Sequence, residues 1–159
     1  MSEKILITYN TFGKLADDLC SVIRSSNIKF SAVHGLPRGG LILAVHISFK
    51  LEIPLIINLT QFTKEFPNGR LLIVDDIIGT GKSYDRAIET ARIRNIQYNT
   101  GVLFCRPDLE DKPNFIIDKT DSWILFPWDK EEEPINEYQR KLYMESFGPP
   151  NELVFKEPE

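Results

Sequence analysis

Short apolar runs alternate along the chain with stretches in which apolar residues recur at helical spacing. The helical spacing predicts helices at 12–23, 41–51 and 84–91. The apolar runs predict strands at 5–9, 30–34, 55–59, 71–74, 100–105, 115–117 and 123–126. Asn10 is the predicted N-cap of the first helix. This alternation predicts an α/β fold with an open, mainly parallel sheet and flanking helices.

Three other segments carry their own expectations. The helix at 41–51 is apolar on most of its surface, so we expect it to be well buried. Residues 60–70 are polar and lack periodicity, which predicts a loop between two strands. Near the C-terminus, 135–147 favours a helix, and an extended tail is expected to follow it to Glu159.

The stretch from Leu71 to Ser83 combines features that suit a phosphate ligand. Four apolar residues are followed by Asp75 and Asp76, then by a turn that we call the glycine turn, residues 78–83, and then by a helix. A turn of this kind at a helix N-terminus presents backbone N–H groups to a phosphate. The two carboxylates beside it suit hydroxyl groups or Mg²⁺. The sequence therefore predicts a sugar-phosphate or nucleotide site here.

A nucleotide-hydrolysing P-loop shares this outline but fits the spacing poorly. That motif requires a glycine, four further residues and then Gly-Lys-Ser, and Asp76 stands in the place of the first glycine. An acidic surface turn without function is the other alternative.

A second turn, the arginine turn at residues 35–40, follows the predicted strand 30–34. Arg38 can bind two phosphate oxygens with its guanidinium fork, and Gly39 and Gly40 allow backbone N–H groups to approach a ligand closely. Ligands bind at this end of the strands in open α/β sheets. The alternative is a solvent-facing arginine in a plain turn. His34 is interpreted as structural.

Composition narrows the class of protein. The 159 residues are enough for one domain, and 42% apolar with 26% charged residues is typical of a soluble globular protein. The net charge of −4 argues against a nucleic-acid partner. Two cysteines without metal spacing favour a reducing cytoplasm, and no apolar stretch is long enough to cross a membrane.

Residues 74–83 resemble the phosphoribosyl pyrophosphate signature of the type I phosphoribosyltransferases. Arg38-Gly39-Gly40 resembles the pyrophosphate loop of that family, in which a cis peptide precedes the arginine. The resemblance implies that Asp75 and Asp76 hold the ribose hydroxyls and Mg²⁺. It also implies that Thr80, Gly81, Lys82 and Ser83 cradle the 5-phosphate, and Ile78 and Gly79 beside them are predicted to contact the substrate.

The last third of the chain is similar to the hood of the 6-oxopurine branch, placed here at approximately 106–130. The resemblance implies that Trp123 stacks on the purine, with core packing as the alternative, and that the Ile124 backbone meets the base edge. Arg106 stands nearest to the lysine that binds the 6-oxo group in that branch. Lys64, in the position of the family's flexible lid, is a candidate cation for the pyrophosphate, with plain solvent exposure as the alternative.

The implied activity is Mg²⁺-dependent transfer of a 5-phosphoribosyl group from phosphoribosyl pyrophosphate to xanthine, guanine or hypoxanthine. A homodimer and a single domain over 1–159 are expected with it. Gly79 departs from the pattern, because the 6-oxopurine branch usually has an aspartate there that handles a purine proton. That departure keeps open an alternative, a catalytically weak binding or regulatory protein of the same fold.

Overall fold

The computed structural model describes residues 3–129, and those up to Trp128 form one compact unit. A short 3₁₀ turn at Pro107–Leu109 follows the fourth strand. The helices are α1 Tyr9–Ser25, α2 Gly39–Leu51, α3 Leu59–Glu65 and α4 Lys82–Ile93. The strands are β1 Lys4–Leu6, β2 Ala32–Gly35, β3 Arg70–Ile78, β4 Gln97–Cys105, β5 Phe115–Lys119 and β6 Trp123–Leu125.

Four strands form a parallel sheet in the order β2-β3-β4-β5. Val33 of β2 also makes an isolated parallel bridge to Leu55 at the sheet edge. All four carboxyl ends therefore meet at one edge, which is where ligands bind in open α/β sheets. The α/β class with a parallel sheet and flanking helices is confirmed.

The central strand β3 is buried on both faces. Leu72 and Val74 pack in one apolar cluster with residues of α1 and α2, while Leu71 and Ile73 pack in a second cluster with residues of α3 and α4. Continuous apolar character is typical of a strand covered on both sides. The apolar run 71–74 therefore predicted this strand correctly, although β3 continues through both aspartates to Ile78.

Two predictions between β2 and β3 are wrong. The run 55–59 does not form a strand, since only Leu55 pairs with the sheet. The segment 60–70 is not a loop, because α3 occupies Leu59–Glu65. The Asn58 side chain caps this helix by accepting a hydrogen bond from the Thr60 N–H at 2.8 Å, and Phe62 anchors it in the core. A single apolar anchor in a seven-residue helix leaves no visible periodicity.

Two details of the other helices also differ from expectation. The N-cap of α1 is Thr8, whose hydroxyl accepts from the Thr11 N–H at 3.1 Å, and Asn10 lies inside the first turn. Burial of α2 is incomplete, because Phe49 is 82% exposed and Val45 is 44% exposed. Burial was predicted from the apolar content of this helix, and that content does not show which apolar side chains face solvent.

The predicted hood contains β6, which pairs in parallel with β1 at the start of the chain. Ile5 and Ile124 are partners in this two-stranded sheet and both pack against the core cluster. No helix among residues 3–129 is long and apolar enough to cross a membrane. The predicted helix and tail at approximately 135–159 lie outside the described residues.

Candidate active site

The arginine turn leaves the sheet directly beside the two aspartates. Gly35 pairs with Val74 in the β2–β3 register, and the Leu36 N–H donates to the Val74 carbonyl at 2.9 Å. Asp75 is the next residue of β3. The peptide bond between Pro37 and Arg38 is cis, as the resemblance implied. The Arg38 side chain is exposed above the N-terminus of α2.

The two glycines after Arg38 lie against the carboxylates with no room for a side chain. A Cβ at Gly39 would come within 1.8 Å of Asp76 Oδ2. One at Gly40 would lie 2.7 Å from the Val74 carbonyl oxygen and 2.9 Å from Asp75 Oδ1. The backbone of the arginine turn is thus packed onto the acid pair. Gly-Gly is required here for close approach.

The acid pair is shaped by the backbone of β3. The Asp75 carboxylate accepts a hydrogen bond from the Asp76 N–H at 3.0 Å, and the Asp76 carboxylate accepts from the Ile77 N–H at 2.8 Å. Burial, together with the negative charge of Asp76, raises the pKa of the Asp75 carboxyl above its usual range. Two crowded carboxylates of this kind gain stability from a nearby cation.

The donor set fits Mg²⁺ bound partly by substrate. No group of three or more His, Cys, Asp or Glu side chains within residues 3–129 could hold a metal alone. Mg²⁺ is usually bound by one or two carboxylates, with substrate oxygens and waters completing its shell. Asp75 and Asp76 supply such a pair.

The glycine turn presents a helix N-terminus to solvent. Gly81 adopts a left-handed φ of 82° and is the N-cap of α4, with no side chain capping the helix. The Lys82 N–H makes only a long contact, 3.5 Å, to Thr80 Oγ1, so the first N–H groups of α4 remain accessible to an anion. Thr80, Lys82 and Ser83 are exposed, whereas the Ile78 side chain is fully buried and can offer only its backbone.

A cleft of about 350 Å³ is bordered by residues from both turns, with Pro37 from the arginine turn and Ser83 from the glycine turn. Arg38 and the acid pair do not line this cleft. The β2–β3 register and the packing of the two glycines after Arg38 against the carboxylates bring them, with the glycine turn, to one edge of the sheet. His34 also borders the cleft, and its Nδ1 lies 2.8 Å from the Ile56 carbonyl oxygen, which supports the structural interpretation.

The residues predicted to bind the base differ in solvent exposure and in hydrogen-bond partners. Trp123 is 64% exposed, so the core-packing alternative is wrong for this side chain. Ile124 is buried, which leaves its backbone as the group able to meet a ligand. Arg106 is paired with Asp108 at 2.9 Å, so a base must compete with that carboxylate for its guanidinium. Lys64 is exposed on α3, as in the solvent-exposure alternative.

Several residues that shape the site were not among the predicted site residues. The buried Tyr84 hydroxyl lies 2.7 Å from Thr100 Oγ1 and donates to the Lys112 carbonyl at 2.7 Å. Lys112 also pairs with Asp85 in the first turn of α4 at 2.6 Å. Asn114 accepts from the Thr100 N–H at 2.8 Å. These hydrogen bonds join residues that are distant in the chain, so they could not be predicted from local sequence. Helical spacing predicted only that Tyr84 faces the core.

A parallel sheet with an arginine–glycine turn and an acid pair followed by a glycine turn is the arrangement expected from the resemblance to the type I phosphoribosyltransferases. No family model matches the chain. It is similar to orotate phosphoribosyltransferase of Caenorhabditis elegans, with 31% identity over 59% of this chain and 46% of that protein. It is also similar to xanthine-guanine phosphoribosyltransferase of Cereibacter sphaeroides, with 26% identity over 71% of this chain and 77% of that protein.

Among solved structures, the purine phosphoribosyltransferase of Pyrococcus horikoshii is similar over 82% of this chain and 97% of its own, with a TM-score of 0.68 and 25% identity. These similarities support the resemblance to the type I phosphoribosyltransferases. It spans less than half of the length of the Caenorhabditis elegans relative.

Proposed function

We propose that this protein transfers a 5-phosphoribosyl group from phosphoribosyl pyrophosphate to a 6-oxopurine base and releases pyrophosphate, with Mg²⁺ as cofactor. The observation that carries the proposal is the packing of Gly39 and Gly40 against Asp76 and Asp75. That contact supports the proposal, because the backbone proposed to bind pyrophosphate and the acid pair proposed to bind ribose and metal lie within one ligand length of each other.

The proposed binding roles follow from the chemistry of each group. The open N–H groups at the start of α4 hold the 5-phosphate. Asp75 and Asp76 accept hydrogen bonds from the ribose hydroxyls. Arg38 and the N–H groups of the arginine turn hold the pyrophosphate, since a guanidinium can bind two phosphate oxygens at once. The substrate is thereby fixed at both ends.

Displacement at the anomeric carbon puts positive charge on the ribose and negative charge on the leaving pyrophosphate. Mg²⁺, when bound, neutralises pyrophosphate oxygens. Arg38 stabilises the same developing negative charge, and Lys64 adds to it if α3 approaches the substrate. Fixing the base and the sugar in reactive orientation supplies a further large part of the rate enhancement.

The choice of a purine rests on the hood. Trp123 offers an exposed ring, and stacking of a base on an aromatic side chain contributes about 1–3 kcal/mol. Two of the similar proteins are purine enzymes by name. Orotate remains a competing base because a third is an orotate enzyme. Arg106, once released from Asp108, can donate to an exocyclic oxygen of either base.

Pyrophosphate release with a panel of bases tests the proposal. The protein, phosphoribosyl pyrophosphate and Mg²⁺ are mixed with xanthine, guanine, hypoxanthine, adenine or orotate. We expect release with at least one 6-oxopurine and its loss on chelation of the metal. Release with orotate or adenine alone overturns the choice of base.

The second candidate is a binding or regulatory protein, and Gly79 favours it because no carboxylate is present to handle a base proton. In that case phosphoribosyl pyrophosphate binds, as measured by calorimetry, yet no base in the panel releases pyrophosphate.

A homodimer is part of the proposal. Val45 and Phe49 are one helical turn apart on α2 and expose apolar surface that a second copy could cover. Light scattering on the purified protein and on Phe49→Glu tests this. A dimeric parent and a monomeric variant are expected, and a monomeric parent contradicts it.

A further inference from the structure

Lys112 lies beside the glycine turn, although it belongs to a loop of the hood. Its Nζ atom is 2.6 Å from Asp85 Oδ1, in the first turn of α4. The same Nζ is 3.5 Å from the position that a Cβ would take on Gly81. A cation is therefore held next to the N–H groups that are open to an anion.

The backbone around Lys112 is fixed without the help of its ammonium group. The Tyr84 hydroxyl donates to the Lys112 carbonyl, and the Lys112 N–H donates to the Leu109 carbonyl at 3.0 Å. Two residues further on, Asn114 exchanges hydrogen bonds with Thr100. Because these bonds already anchor the loop, the half-exposed ion pair with Asp85 is not needed to hold it.

We propose that Lys112 is a ligand of the substrate's 5-phosphate, which rests on the proposed function of the glycine turn. When the sugar phosphate binds, the Lys112 ammonium either leaves the Asp85 carboxylate for a phosphate oxygen or contacts both groups. Lysine has three donors on a flexible stem, so a small rotation lets it reach the anion without moving the loop. A charge-assisted hydrogen bond to phosphate is among the stronger ones.

This assignment also ties two parts of the site together. Lys112 lies in the same loop as Arg106, which contacts the base in the proposed function. The Lys112 side chain contacts Asp85 in the first turn of α4, next to the glycine turn. A bound 5-phosphate would thus hold the base-binding loop through one direct contact. Removing the contact should weaken phosphate binding first and base binding only as a consequence.

Calorimetric titrations with two probes, ribose 5-phosphate and pyrophosphate, both with Mg²⁺, test the assignment. Lys112→Gln should raise the Kd for ribose 5-phosphate about tenfold, which is the size expected for loss of about 1.4 kcal/mol. Its Kd for pyrophosphate should change less than twofold, because the arginine turn holds that ligand. Lys112→Arg should recover most of the affinity.

Lys50→Gln is the matched control. Lys50 is also paired with an aspartate, Asp17, but it lies near the far end of α2, roughly 16 Å along the helix from Gly39. Removing this charge should leave both Kd values unchanged. Asp85→Asn provides a second variant, and we expect it to tighten ribose 5-phosphate binding because Lys112 loses its competing partner.

Three outcomes overturn the assignment. Unchanged ribose 5-phosphate binding in Lys112→Gln shows that no contact exists. Equal losses for both ligands show a general electrostatic or structural effect. Failure of the parent to bind ribose 5-phosphate removes both this assignment and the proposed function. A parent that binds ribose 5-phosphate but releases no pyrophosphate with any base contradicts the transferase proposal alone.

Discussion

Gly39→Ala is the substitution whose effect on the site follows most directly from the structure. The new Cβ would lie 1.8 Å from Asp76 Oδ2 and 2.4 Å from its Cγ, whereas real Cβ contacts below 3.0 Å essentially do not occur. The arginine turn and the carboxylate must therefore separate by about 1 Å, a displacement that can lower a rate about 100-fold in a site that depends on positioning.

The cost to stability should be much smaller. Gly39 is the first residue of α2, where alanine has a higher helix propensity by up to about 1 kcal/mol. Rotation of the Asp76 carboxylate would give up its hydrogen bond from the Ile77 N–H, a loss of about 1 kcal/mol. These effects oppose each other, so we expect a folded protein with a Tm within a few degrees of the parent.

Pyrophosphate release at saturating base, with the Tm from circular dichroism, measures both quantities. Gly13→Ala is the control, because a Cβ at Gly13 meets nothing within 4 Å and the residue lies on α1. It should retain full activity and gain up to about 1 kcal/mol of stability. A Gly39→Ala protein that keeps the parental rate refutes the close contact between the arginine turn and Asp76.

Three further predictions concern other parts of the protein. Replacing Asp75 and Asp76 together with Asn should abolish turnover while leaving the circular dichroism spectrum intact, and a near-parental rate contradicts the ribose and Mg²⁺ assignment. Trp123→Ala should weaken binding of a nucleoside monophosphate about tenfold or more without affecting ribose 5-phosphate, in titrations of both ligands. Burial raises the pKa of the Cys20 thiol to about 11 and raises that of Cys105. The neutral thiols should therefore resist iodoacetamide at pH 8 until the protein unfolds, and rapid labelling of the folded protein contradicts their burial.

The sequence predicted the sheet well because its strands are apolar on both faces. The run 71–74 is continuous and aliphatic and the run 100–105 is buried throughout, and burial between two helical layers leaves such runs few other conformations. The site was also predictable in part. Asp75 and Asp76 lie near the carboxyl end of β3 and Arg38 follows β2, and parallel strands bring their carboxyl ends together.

What the sequence could not predict depended on contacts between distant residues. The short helix α3 is stabilised by the cap at Asn58 and by one buried side chain, Phe62, neither of which produces a periodic pattern. The bonds from Tyr84 to Lys112 join residues 28 positions apart. Whether Arg106 was free or paired with Asp108 likewise depended on the conformation of a loop.

Gly79 remains the residue on which the chemistry of the base depends. Its φ is outside the left-handed range, since Gly81 is the one positive-φ glycine among residues 3–129, and a Cβ at Gly79 meets nothing within 4 Å. A larger residue is therefore compatible with the turn, and Gly79→Asp should fold like the parent.

The carboxylate introduced by Gly79→Asp would restore a group able to accept a proton from the purine, and general base assistance is typically worth about 10²–10⁴-fold in rate. Xanthine loses a proton near neutral pH more readily than guanine or hypoxanthine, so it needs this assistance least. We expect turnover with guanine or hypoxanthine to rise more than turnover with xanthine, measured by pyrophosphate release for each base. The variant Gly79→Asn is the control, because it has the same size but cannot act as a base at neutral pH. Equal rates for the parent and a well-folded Gly79→Asp protein on all three bases would show that position 79 plays no part in moving the proton.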